Sequence, residues 1–291
     1  MKITELTTLS KDQKHQVDDL IKQVKEFDQT YREPYLSNQF NYFPEMPTFF
    51  LALENQNLVG FMMLYADEEP DESVDVNIYV LPDKRRQGIG TKLLEAGKKV
   101  LHEYGYHDFN FYTEKSFLEK NPDFLTNTKL EIKEEDSEFQ MCKTTADKFT
   151  IDSNLSVRIL QESDLKTVIP MYCEAFDDVS IREAEQYLSE GIKSSTTLNY
   201  LLENEGVPAG LCSVDVGDKS YYLFGLLISQ KYRNQGLGSK FIKEVMQILT
   251  ARKALPFVIG VEQNNSAAYH VYQKVGFTTQ TEIYNLKCKK R

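Results

Sequence analysis

Residues that build metal centres and disulfide frameworks are scarce in this chain. Its four histidines (His15, His102, His107 and His270) show no H-x-x-x-H spacing, so no metal site is expected. Its four cysteines, Cys142, Cys173, Cys212 and Cys288, include no C-x-x-C pair, and three of them sit in apolar runs. That pattern suits reduced, buried thiols rather than a disulfide framework or a zinc site. No apolar run approaches the roughly 20 residues needed to span a bilayer, and polar residues follow Met1 almost at once, where a secretory signal would turn apolar. A cytoplasmic protein with no membrane partner is the expectation. Positive charge is in deficit too: 34 Lys and Arg against 44 Asp and Glu give a net charge of -10. Such a surface repels phosphate backbones, which disfavours nucleic acid and favours a cationic partner such as an amine or a basic peptide. Acidity for solubility alone would give the same balance.

What the chain does contain is ordinary globular material, and it contains it twice. Its 291 residues are enough for about two domains, each able to bury a core. Aromatic residues make up 12% and are spread throughout, which argues against disorder. Residues 85–90 read Arg-Arg-Gln-Gly-Ile-Gly and residues 233–238 read Arg-Asn-Gln-Gly-Leu-Gly, so Gly88 and Gly236 are 148 residues apart (236 minus 88). Upstream, Leu58-Val59-Gly60-Phe61-Met62 corresponds to Pro208-Ala209-Gly210-Leu211-Cys212, 150 residues apart (210 minus 60). Near-equal offsets over different landmarks indicate two copies of one domain. The polar stretch at 144–154 lacks a period, and a new strand begins at Leu155, which places the boundary at 148/149.

The order of elements is the same in both copies. A short strand opens each (Lys2 to Leu6; Leu155 to Leu160), and one or two helices follow. Ser163-Asp164 is positioned to cap the helix of the second copy. Three strands come next: Phe49 to Leu53, Leu58 to Tyr65 and Ser73 to Leu81, matched by Leu198 to Glu203, Val207 to Val216 and Ser220 to Ser229. Asn55-Gln56-Asn57 and Glu205-Gly206 read as hairpin turns. A long helix then starts at each glycine loop. Ile89, Leu93, Gly97, Val100 and Leu101 share one face of the first; Leu237, Phe241, Val245, Ile248 and Leu249 share one face of the second. A buried strand follows each helix, Asp108 to Thr113 and Phe257 to Val261, giving an α/β domain around a mixed sheet, present twice.

A strand, then R-x-x-G-x-G, then a helix forms a phosphate cradle. The first N–H groups of a helix have no internal partner, and its dipole adds partial positive charge there. Glycine lets the backbone approach the anion closely. Walker A and dinucleotide loops do not fit. Gly238-Ser239-Lys240 has the wrong order, and Leu93 and Phe241 stand where a third dinucleotide glycine would be needed.

The second copy adds a further run after its buried strand, Asn265-x-x-Ala268-x-x-x-Tyr272-x-Lys274-x-Gly276-Phe277. Together with Arg233-x-x-Gly236-x-Gly238 it resembles the pyrophosphate loop and closing motif of the GNAT acyltransferase superfamily, over roughly residues 155–287. The resemblance implies two tandem GNAT-like domains, 1–148 and 149–291, each a mixed, mostly antiparallel central sheet flanked by helices. It also implies an N-acyltransferase whose co-substrate is acetyl-CoA or another acyl-CoA, and whose acceptor is a small-molecule or peptide amine. Arg233, Asn234, Gln235, Gly236, Leu237, Gly238 and Ser239 would hold the pyrophosphate. Backbone near Ile228 would pair with the pantetheine arm, and N–H groups near Leu226 or Leu227 would stabilise the oxyanion. The amine would attack the thioester directly, with no acyl-enzyme.

Within that resemblance Tyr272 is the candidate general acid for the departing thiolate, against the alternative of a packing tyrosine. Asn265 either contacts the pantetheine arm or caps the next helix, and Tyr269 is grouped with the cofactor contacts. Arg233 either touches a phosphate or is a solvated loop charge. Glu262 is the candidate base, with Asp215 as runner-up and a water relay as the third option. His270 is read as a surface residue. The acceptor would meet segments such as Tyr31 to Phe50 and Phe176 to Gly191. The first copy keeps its cradle, but Pro122 interrupts the expected closing helix and no Tyr motif follows, so the N-terminal domain is expected to be degenerate and the C-terminal one catalytic. The alternative is a non-catalytic acyl-CoA sensor.

Overall fold

The computed structural model of the chain describes residues 1–176 and 179–289. The first half runs through β1 (Lys2–Leu6), α1 (Lys11–Asp28), β2 (Phe49–Glu54), β3 (Asn57–Tyr65), β4 (Ser73–Val80), α2 (Ile89–Glu103), β5 (Asp108–Glu114), the short helices α3 (Lys115–Lys120) and α4 (Phe124–Thr128), and β6 (Leu130–Lys143). The second half continues with β7 (Leu155–Ile159), α5 (Leu165–Ala175), α6 (Ile181–Lys193), β8 (Thr197–Asn204), β9 (Val207–Val216), β10 (Tyr221–Ile228), α7 (Leu237–Arg252), β11 (Phe257–Glu262), α8 (Ser266–Val275) and β12 (Thr278–Cys288). Both hairpins turn through two residues of positive φ, Asn55-Gln56 (48° and 69°) and Glu205-Gly206 (51° and 76°). Positive φ at both central residues matches the turn to the right-handed twist of its strands.

The chain folds into two compact units that are not contiguous in sequence. Unit 1 comprises Met1–Ser137 with Thr281–Arg291, and unit 2 comprises Glu138–Gln280. The strand order is β1-β2-β3-β4-β5-β12 in unit 1 and β6-β11-β10-β9-β8-β7 in unit 2. The strand flanking β5 is the end of the chain, with Ile283 to Leu286 antiparallel to Phe111 to Glu114. The strand flanking β11 comes from before the linker, with Glu138 to Lys143 antiparallel to Phe257 to Glu262. The expected cut at 148/149 falls in the linker 144–154 and divides the chain differently. Apolar periodicity identifies a strand but carries no information about its neighbour.

Each unit buries both faces of its sheet. In unit 2, α7 and α8 cover one face through Leu237, Phe241, Val245, Tyr272 and Val275, against Leu223, Phe257 and Ile259. Helices α5 and α6 cover the other through Val168, Tyr172 and Leu188, against Leu201, Leu211 and Leu227. In unit 1, α2 and α1 take the same places. The aromatic segment from Tyr31 to Phe50 mostly enters this core: Phe49 and Phe50 are buried, whereas Tyr31 is exposed. Only Cys212 of the cysteines is buried, and burial pushes its thiol up to about 12. Cys142 and Cys173 are half-buried and Cys288 is exposed, so the expectation of buried thiols holds for one of the four.

Asp164 does not cap a helix with its side chain, as its place before Leu165 suggested. It closes a 3₁₀ turn at Glu162–Asp164 by accepting from Gln161 N–H, and it takes two bonds from Arg158 at 2.7 and 2.9 Å. Arg158 also binds Glu203 at 2.8 Å. The guanidinium holds the Asp164 carboxyl below its usual 3.8. Asp164→Asn is expected to cost about 1–3 kcal/mol at neutral pH, read as the change in urea midpoint. A group with a lowered folded pKa stabilises above its unfolded value and loses that stabilisation as pH falls through the folded one. The gap between variant and wild type therefore narrows below pH 3.8.

Candidate active site

The two glycine loops adopt one backbone path. Arg85 and Arg233 are extended (φ -67° in both), Arg86 and Asn234 are left-handed (64° and 61°), and Gly88 and Gly236 are left-handed again (78° and 75°). Gly88 and Gly236 occupy the N-cap positions of α2 and α7, and neither helix start receives a side-chain cap. The first N–H groups of both helices are thus left to an anion. A Cβ on Gly236 would meet nothing within 4 Å, so the loop mouth is open. Ile228, at the end of β10, lies beside the cradle: a Cβ on Gly238 would meet its side chain at 3.8 Å. Leu237 and Ser239 are buried in the first turn of α7, whereas Asn234 and Gln235 are exposed. Arg233 donates through Nε to Ile228 O at 3.0 Å, and its guanidinium is exposed.

Beside this cradle, β10 is interrupted. It pairs with β9 from Tyr221↔Val216 to Phe224↔Ser213, then resumes at Leu227↔Leu211. Gly225 and Leu226 therefore stand opposite Cys212 alone, a bulge built on Gly225 at φ +55°. On its other edge β10 is parallel to β11, and the pairing ends at Leu223↔Ile259. Beyond that point the strands splay. The backbone from Phe224 to Ile228 presents this edge unpaired, and the bulge re-aims the N–H groups of Leu226 and Leu227. A ligand laid in the splay has strand backbone along one side and the positive end of α7 at its head.

Tyr272, on α8, is 6% exposed and rests on Phe277, with ring centroids 6.2 Å apart. Burial holds its phenol well above the usual range, and the nearby Cys212 and Tyr222 push the same way. Cys212, the residue opposite the bulge, belongs to the same core cluster as Tyr272. Asn265 caps α8, accepting from Ala268 N–H at 3.0 Å, which realises the capping alternative. Tyr269 places its hydroxyl 3.0 Å from Thr279 and its ring against Phe139. Glu262 is exposed at the end of β11, and Asp215 is half-buried opposite Tyr222. His270 is exposed, with Nδ1 at Ser266 O. Of the segment from Phe176 to Gly191, Asp177 and Asp178 lie outside the described residues. Among the described residues, no group of three or more His, Cys, Asp or Glu is placed to hold a metal ion, and no helix is long and apolar enough to cross a membrane.

Unit 1 keeps the cradle and closes the slot next to it. Its β3–β4 pairing runs unbroken from Gly60↔Val80 to Tyr65↔Asp75, with no bulge. At the 148-residue offset that separates Gly88 from Gly236, Asn77 stands where unit 2 has Gly225. Arg32 fills the space beyond the last β4–β5 pair. Its Nη1 donates to Asn77 Oδ1 at 2.5 Å and its guanidinium lies 4.5 Å over the Tyr112 ring. The N–H groups of Tyr31 and Arg32 both donate to Glu114, at 2.7 and 2.8 Å. Arg85, the counterpart of Arg233, is held in a two-bond pair with Asp28 at 2.8 and 2.6 Å, and Asp28 is 3% exposed. The closing helix is broken around Pro122 into α3 and α4, and the same offset places Phe124 where Tyr272 would stand. Sequence reading missed Gly225, Asn77 and Arg32. The Gly-to-Asn difference at equivalent positions was visible, but the partner of an arginine some 45 residues upstream of Asn77 was not.

Residues 15–120 and 165–277 each match the model of the Acetyltransferase (GNAT) family. Thialysine N-epsilon-acetyltransferase of Sus scrofa is 26% identical over 150 residues, covering 45% of this chain and 88% of that protein. Its Bos taurus counterpart is 28% identical over 98 residues, 30% of this chain and 58% of that protein. Among solved structures, a tandem GNAT protein from the clavulanic acid biosynthesis pathway superposes with TM-score 0.72 at 14% identity, covering 98% of this chain and 97% of that one. A GCN5-related N-acetyltransferase from Sphaerobacter thermophilus gives 0.70 at 13% identity, covering 98% and 95%. Two cradles on one backbone path, each within its own family match, make this chain a member of the GNAT acetyltransferase family that carries the domain twice in tandem.

Proposed function

We propose that unit 2 is an acetyl-CoA-dependent N-acetyltransferase that transfers the acetyl group to a primary amine by direct attack, and that unit 1 does not turn over. The observation that carries this reading is the bulged and splayed β10 beside an open helix N-terminus, with the buried Tyr272 of α8 in the same core cluster as Cys212, the residue opposite the bulge. Gly236, Gly238 and the first N–H groups of α7 bind the pyrophosphate, with Arg233 at the loop mouth. The open edge of β10 up to Ile228 pairs with the amides of the pantetheine arm. N–H groups of Leu226 or Leu227 receive the charge that develops on the thioester oxygen.

The amine loses a proton to Glu262, or to water beside it, and then attacks the carbonyl carbon. As the new C–N bond forms and the C–S bond breaks, the nitrogen releases its second proton and Tyr272 protonates the departing thiolate. The phenol is refilled from solvent, so each turnover yields an amide, a thiol and one net proton.

The test is thiol release from acetyl-CoA by the full-length protein with a panel of primary amines headed by thialysine, the amine in the names of the relatives. Turnover is expected with at least one cationic amine. Tight acetyl-CoA binding without turnover on any acceptor would instead support a sensor.

A further inference from the structure

The sheet face under α5 and α6 carries a feature that the reaction steps above do not use. Register places Tyr222 and Phe224 of β10, Val258, Gly260 and Glu262 of β11, and Glu138 and Gln140 of β6 on this one face. Gly260 lies one residue beyond the last β10–β11 pair, at the start of the splay. A Cβ there would come within 2.9 Å of the Tyr222 hydroxyl and 3.2 Å of Glu138 Oε2. A phenol and a carboxylate therefore converge over the one residue that has no side chain to keep them apart. The φ of Gly260 is not in the left-handed range, so the backbone does not require glycine; the space above it does. Phe224, 6.2 Å from Tyr222 between ring centroids, and Tyr187, 6.4 Å from Phe224, continue the wall.

Glu138 is also the direct register partner of Glu262. Two carboxylates on neighbouring strands give this part of the face a negative potential that favours a cation. A separate feature lies along the same rows of the face. Asp215 is paired with Thr197, which is 3% exposed and whose hydroxyl has no partner among the described residues. One row on, Nδ2 of the equally buried Asn199 is likewise without a partner. Unpaired buried polar groups are costly in a face meant only for packing; Asn199 Nδ2 lies under Gly191 of α6. Carboxylates, aromatic rings and polar groups form the surface that receives an alkylammonium ion.

We propose that Glu138 is a substrate-specificity residue of unit 2, binding the ammonium group of a cationic amine acceptor beside Tyr222 over Gly260. This rests on the acetyltransferase reading and deepens it. It also gives the strand exchange a consequence: a strand that precedes the linker completes the acceptor side of the unit that follows it. Gly260 acts as the floor of the subsite, and the acceptor approaches from the face opposite Tyr272.

The experiment is steady-state thiol release by full-length wild type, Glu138→Gln, Glu138→Asp and Gly260→Ala, with thialysine, spermidine and glutamate as acceptors. Loss of one charge-assisted contact is expected to raise KM for thialysine and spermidine about tenfold in Glu138→Gln, with kcat within about twofold and acetyl-CoA affinity unchanged. Glu138→Asp recovers part of the loss. Gly260→Ala raises the same KM, because its methyl displaces both polar groups, while the melting temperature stays near wild type. Glutamate is a poor acceptor throughout. Wild-type KM in Glu138→Gln, or glutamate used as well as the cations, overturns the inference and leaves the acetyltransferase reading standing. Acetyl-CoA binding with no turnover on any amine overturns both.

Discussion

Replacing Gly236 and Gly238 together by aspartate is expected to abolish acetyl-CoA binding to the full-length protein, while the same change at Gly88 and Gly90 leaves it intact. Both loops share a backbone path, so local sequence gives no reason for the difference. The reason is what surrounds them. At α7 Arg233 is exposed and the bulged β10 offers an unpaired edge. At α2 the corresponding arginine is bound to buried Asp28, and Arg32 occupies the slot between the strands. A carboxylate at a helix N-terminus stabilises the helix, and a Cβ on Gly238 would make only ordinary contacts at 3.8 Å. Gly236 has φ +75°, so a side chain there costs roughly 1–2 kcal/mol of backbone strain. The variant should fold. For a phosphate the cradle has changed sign, and two like charges near the surface cost on the order of 3 kcal/mol or more, above a hundredfold in Kd. Calorimetry on wild type and both variants reads the result. One site, lost only with the C-terminal change, is the expected outcome. Two sites in the wild type would show that unit 1 opens to the ligand, and loss of binding with the N-terminal change would overturn the assignment to unit 2.

Tyr272→Phe should lower kcat by about 10²–10³-fold, the usual worth of a positioned general acid, with acetyl-CoA affinity unaltered. The hydroxyl makes no hydrogen bond with the described residues, and the ring packs on Phe277, so its removal costs little stability. Burial keeps the phenol protonated beyond its ordinary 10.0. The wild-type rate should therefore show an ascending limb, as amine and base lose protons, and no descending limb up to pH 10.0. A kcat within about fivefold of wild type would remove Tyr272 from the reaction and leave it as a packing residue.

Much of this site is written in local patterns. Glycines at fixed positions before an apolar helical face specify a cradle, because N-terminal N–H groups and positive φ are local properties. The spacing from Asn265 to Tyr272 puts a cap and a phenol on one short helix for the same reason. The duplication, the hairpin turns and the break at Pro122 were legible on the same grounds. Gly225 was legible as a glycine but not as a bulge, since a bulge exists only against a partner strand with one residue fewer.

The sequence by itself determined that there are two α/β copies, where the helix after each glycine loop starts, and which copy retains a tyrosine in its closing helix. Only the tertiary structure decided that β6 flanks β11 and β12 flanks β5, that Arg32 fills the slot of unit 1, and that Glu138 reaches Gly260. Strand neighbours, ion pairs and clefts join residues far apart in the chain. Their energies depend on register and burial, and neither quantity is encoded in the period of any single segment.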